Sequence, residues 1–187
     1  MGIFSDIKEI FKFRKEIKNI VEKSKAEKAL YLNMSKDEMS NLSDDDLISA
    51  VLVRTEHTVE GFDEPIDGLN ALNYCQKVFY SLNCFEMEVN DGGLCQFFVN
   101  SSKIAAPFIS EYMGVVGADE HKTLFDKFIS DNKIDLSDLS LFDLGDLEDY
   151  EEQTKIYPFD EYDNAYSDLE PIETYLKKYV REHFTDF

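Results

Sequence analysis

Apolar positions recur at three- and four-residue spacing along most of the chain. Ile3, Ile7, Ile10, Phe11, Ile17, Ile20 and Val21 form the first stripe, with Lys8, Lys12, Arg14, Lys15 and Lys18 between them. This pattern predicts an amphipathic helix over residues 3–28. Such a stripe serves a membrane surface, a partner, or the body of its own protein. Packing on the body is the simpler reading, because stable membrane anchoring by such a helix needs a second signal. SKDE at 35–38 and SDDD at 43–46 each place a serine at an N-cap and an acid three residues on, predicting two helix starts. The second leads into LISAVLV, a helix over 44–56.

Further along, EPIDG at 64–68 reads as a loop. Leu69, Leu72, Cys75, Val78, Phe79 and Leu82 predict a helix over 69–87. NDGG at 90–93 stops it, and a new helix starts near Gly93, because Asn and Gly accept the left-handed angles of a cap or turn. Pro107 suits a first helical turn and Gly117 a break. A helix is predicted over 118–130 with Leu124, Phe125, Phe128 and Ile129 on one face. Residues 131–163 permit short helices, with YPFDEYDN as a loop or turn. The last helix spans 163–183, with Pro171 marking a break or late start. The chain therefore reads as all-α, a single compact multi-helix domain over 29–187 preceded by the basic amphipathic helix of 1–28.

Composition adds charge to this picture. The 187 residues carry 39 acidic and 19 basic side chains, a net charge of −20. Residues 1–28 hold 8 basic and 5 acidic residues, a net of +3, so the remainder carries −23. A body this negative repels nucleic acid and anionic lipid, which argues against direct nucleic-acid binding and stable membrane anchoring. Residues 135–173 concentrate the effect, with 14 acids against Lys155 alone. Asp135, Asp138, Asp143, Asp146, Glu148, Asp149, Glu151, Glu152, Asp160, Glu161 and Asp163 are the candidate partner-binding surface. Helical carboxylates three or four residues apart lie about 5–6 Å from one another. Duplex DNA carries about one charge per 1.7 Å of axis, so a rigid acidic surface can occupy a DNA-binding face. The plainer alternative is a solvated acidic face.

The chemical motifs are few. Gly92-Gly93 fit neither GxxxxGK[ST] nor GxGxxG, and Glu86, Glu88 and Asp91 beside them repel phosphate. A calcium loop fails at Asp91, where a glycine is required, and at Phe97, where its final carboxylate belongs. His57, His121 and His183 show no metal spacing and read as surface helix residues. Cys75, Cys84 and Cys95 form no CxxC, sit among apolar neighbours and read as buried, reduced thiols of a cytoplasmic protein. The residues point to no catalytic set, no metal and no cofactor; the expectation is a non-enzymatic protein.

EVNDGGLCQFFVNSS at 88–102 resembles the EVNNGGFxQFFxNSx motif of a bacterial domain family of unknown function that includes a DNA-mimic protein. Glu88, Val89, Asn90, Gly92, Gly93, Gln96, Phe97, Phe98, Asn100 and Ser101 match, while Asp91 and Leu94 depart. The resemblance spans residues 65–184. It implies a mainly α-helical fold and no enzyme. Its DNA-mimic branch implies an acidic homodimer that covers the DNA-binding surface of a basic helix-turn-helix regulator. The shared motif reads as structural: Gly92 and Gly93 turn the chain, Phe97 and Phe98 fill the core, and Gln96 and Asn100 bond freed backbone groups. Two alternatives stand beside the mimic: an interaction or immunity-type module with a basic partner that does not bind DNA, and a small-ligand binder at the 86–100 polar cluster of Glu88, Asn90, Gln96 and Asn100.

Overall fold

The computed structural model describes residues 3–143 and 147–187, which hold ten α-helices, three short 3-10 turns and no strand. The chain is all-α, as its periodicity predicts. Its internal contacts divide it into two units, Met1–Arg54 and Thr55–Phe187.

The first unit contains α1 (Ile3–Asn33), α2 (Lys36–Ser40) and most of α3 (Asp44–Val59). Helix α1 runs five residues beyond the predicted end. Of its apolar stripe, Ile17 and Val21 are exposed, as is Phe13; the other members of the stripe lie outside the described side chains. Ser35 forms a reciprocal capping box with Glu38 at the start of α2. The Ser43 hydroxyl accepts from the Asp46 amide at 3.2 Å to open α3. Each cap satisfies amides that the first turn leaves without partners. Arg54 on α3 donates to the carbonyls of Tyr31, at 3.0 Å, and Met34.

The second unit is built around α5 (Tyr74–Val99), which touches α6 (Ala106–Val116), α9 (Phe159–Ser167) and α10 (Ile172–Glu182). Helix α7 (Asp119–Asn132) packs against α6 and α9. The short helices α4 (Pro65–Ala71) and α8 (Leu147–Gln153) complete the set. Phe79, Leu82, Phe85, Leu94, Phe97 and Phe98 of α5 are all fully buried. Fully burying one such side chain contributes about 1.5–3 kcal/mol. Phe85 lies before the glycine pair and Phe97 after it, and their rings meet edge to face at 4.9 Å.

Several expectations do not survive the fold. EPIDG is no loop, because Pro65 occupies the first turn of α4, where its fixed φ and missing amide cost nothing. The predicted helix over 69–87 is two helices. Leu69 belongs to α4, and α5 begins only after Asn73, whose side chain forms a capping box with Gln76. YPFDEYDN holds the first turns of α9 rather than a loop, with Phe159 and Tyr162 buried. His121 is not a surface residue: it is 1% exposed, edge-on to Tyr166 at 5.2 Å and Tyr175 at 6.0 Å. Burial lowers its pKa. All three cysteines are free, but only Cys95 is buried; Cys75 and Cys84 are half-buried. Gly117 ends α6 with φ 84°, and Pro171 separates α9 from α10, both as predicted.

Candidate functional site

The acidic band divides by what each carboxylate touches. Asp135, Asp138, Asp143, Glu151, Glu152, Asp160 and Glu161 are exposed. Asp146 and the side chains of Glu148 and Asp149 lie outside the described residues. Asp135 accepts from the Ser137 hydroxyl at 2.6 Å and amide at 2.9 Å. Asp138 accepts from the Ser140 amide at 3.1 Å. These bonds hold both carboxyls below the usual range, so they stay ionised. Asp143 pairs with Lys103.

Asp163 stands apart from the band. It is half-buried, and its carboxylate accepts the Leu94 amide at 2.8 Å. Burial raises its pKa despite that bond. It serves the glycine junction rather than solvent.

That junction is a kink inside α5. Gly92 has φ −151° and ψ 21°, and Gly93 has φ 78° and ψ 179°. The helical hydrogen-bond ladder breaks there, and Asp163 caps the segment that follows, as an N-cap acid would. A Cβ on Gly93 would lie 2.1 Å from the Asp163 carboxylate, and one on Gly92 2.0 Å from Gln96 Oε1. The glycine pair thus turns the chain, as expected.

The amides do something else. Gln96 Nε2 donates to Glu88 at 2.8 Å, Asn100 Nδ2 at 2.6 Å and the Ser102 hydroxyl at 3.1 Å. They clasp a carboxylate eight to fourteen residues back, not the freed backbone. Asn90 is exposed, away from this clasp, and Phe97 and Phe98 are buried. Glu86 faces inward and receives the amides of Ile172 and Glu173 at the start of α10.

Glu88 also lines a cavity of about 270 Å³ with Leu69, Tyr80, Ser81, Cys84 and Ser102 among its walls. The Ser81 hydroxyl is buried and finds no hydrogen-bond partner. Burial pushes the Cys84 thiol up to about 11, so it is no ready nucleophile.

Sequence spacing offers no metal motif, yet the fold brings Cys75, His183 and Asp186 together, with ligand atoms within 4.8 Å of one another. The signal was absent from any local window, because 108 residues separate Cys75 from His183. Among the described residues no helix is long and apolar enough to cross a membrane.

A family model described as DMP19-like protein matches residues 70–183. No curated protein and no solved structure matches the chain.

Proposed function

The chain belongs to the DMP19-like family, whose model covers more than half of it, and from its charge distribution we propose a non-enzymatic acidic protein that mimics DNA toward a basic DNA-binding regulator. One observation carries this reading. The Thr55–Phe187 unit holds 29 acidic and 9 basic residues, a net of −20. The Met1–Arg54 unit holds 10 of each and is neutral. The entire net charge therefore belongs to the unit that contains the family match.

Within that unit the positive charge is largely spoken for. Lys103, Lys122, Lys127, Lys177 and Lys178 each pair with a carboxylate. Residues 135–161 hold a single base, Lys155, and of their exposed acids Asp143 pairs with Lys103. A cationic protein that docks there displaces the cations gathered on the carboxylates, as it displaces those condensed on a duplex. The acidic surface, not the glycine motif, supplies this activity.

The test is capture from a bacterial lysate on the immobilised full chain. DNA-binding proteins should be retained, released by salt, and displaced by duplex DNA. A quadruple variant, Glu151→Gln, Glu152→Gln, Asp160→Asn and Glu161→Gln, should weaken capture at least about tenfold, since close charge pairs at interfaces contribute about 1.5 kcal/mol or more each. Retention of one partner that duplex DNA does not displace supports an interaction module instead.

A second reading, small-ligand binding, is favoured by the unpartnered Ser81 hydroxyl in the Glu88 cavity. Native mass spectrometry of freshly purified protein checks it: a retained mass lost in Glu88→Gln supports it, and a bare chain counts against it.

A further inference from the structure

We propose that Cys75, His183 and Asp186 form a zinc site that ties the start of α5 to the turn after α10. The site goes beyond the acidic-surface reading and does not depend on it. The three side chains offer a thiolate sulfur, an imidazole nitrogen and a carboxylate oxygen, a mixed set suited to Zn²⁺.

The distances fit the ion. Zinc bonds sulfur at about 2.3 Å and nitrogen or oxygen at about 2.0–2.2 Å, so tetrahedral ligands lie roughly 3.3–3.7 Å apart. Cys75 Sγ and Asp186 Oδ2 are 3.8 Å apart. All three donor atoms lie within 4.8 Å of one another, so closure shortens their separations by at most about 1.5 Å relative to that geometry.

Neighbouring groups hold the ligands where they are. Cys75 sits in the first turn of α5, whose start Asn73 fixes with its capping box. The same Asn73 donates from Nδ2 to the Asp186 carbonyl at 2.6 Å, which holds the carboxylate-bearing turn over Cys75. The His183 ring lies 4.5 Å from the Tyr179 ring. Tyr179 also shares a side-chain hydrogen bond with Cys75. Such outer partners orient ligands and tune the metal. Three protein ligands leave the fourth zinc position to water, which the exposed Asp186 leaves within reach of solvent. On binding, the Cys75 thiol releases its proton to solvent.

The test uses the reduced, tag-free full chain with Co²⁺ as a spectroscopic probe. One equivalent should bind and produce a sulfur-to-cobalt charge-transfer absorption, and Zn²⁺ should abolish it by displacement. Zn²⁺ should also raise the melting temperature, reversibly with a chelator. Cys75→Ser should remove the absorption. Asp186→Asn, whose metal-free melting temperature is measured alongside, should weaken binding about tenfold or more. Cobalt bound without the sulfur band, a band that survives Cys75→Ser, or unchanged affinity in Asp186→Asn each overturns the proposal.

Discussion

Gly93 combines φ 78° with ψ 179°, a backbone region that only glycine occupies without strain of about 1–3 kcal/mol. Its missing Cβ also leaves room for the Asp163 carboxylate. Gly93→Ala should therefore destabilise the protein by at least about 1–3 kcal/mol, read as a lower urea midpoint with an unchanged slope. The role of this residue as a turn is legible in NDGG, because glycine and asparagine act on their own backbone. Its partner is not legible: Asp163 lies 69 residues away from Leu94, the amide it caps. The same limit applies to Gln96 and Asn100. Their spacing places them on one helix face, but only the fold shows that the face closes on Glu88. His121 follows Glu120 on an acidic first turn and looks solvated; the aromatic side chains that bury it come from α9 and α10.

At the scale of elements, boundaries governed by chemistry within four residues can be read directly, as at the starts marked by Ser35, Ser43 and Pro107 and the end marked by Gly117. The α4–α5 break is harder, because the apolar rhythm of Leu69, Leu72 and Cys75 runs through it without a fault. Asn73 and Gln76 carry the cap, yet neither interrupts that rhythm. Helix α10 shows what tertiary context adds. Pro171 announces its start, but its first amides are satisfied by Glu86 of α5. Burial pushes the Glu86 carboxyl up to about 7, although the amides of Ile172 and Glu173 and the charge of Lys177 oppose this. Unfolded, the group titrates near 4.5. Between those values the native state binds the extra proton, so stability falls as pH rises through the window and the cost is complete above pH 7. Glu86→Gln keeps an acceptor for the two amides and removes the charge. It should flatten this slope and add on the order of 1–3 kcal/mol at pH 8, measured by urea unfolding at pH 5 and pH 8.

For the whole molecule, charge is the property most plainly visible in both sequence and fold. The Thr55–Phe187 unit concentrates 29 acids, and the repulsion among them opposes its own compaction. The melting temperature should rise when sodium chloride is raised from low to physiological concentration, because the screening length shrinks to about 8 Å; a salt-independent melt would show that local pairing already cancels the repulsion. The acids could be counted in advance, but which of them turn inward could not, as Glu86 and Asp163 demonstrate.

The position of α5 at the centre of its unit also sets an order of events during synthesis. Its oily flanks are matched by α9 and α10, and its first turn is latched by Asn73 to a carbonyl 113 residues later. At about 5–20 residues per second on the ribosome, that latch arrives roughly 6–23 s after Asn73 is made. Until α6, α9 and α10 have followed in turn, the nascent central helix lacks part of its cover, and its solubility then rests on the same abundance of carboxylates that the finished protein displays.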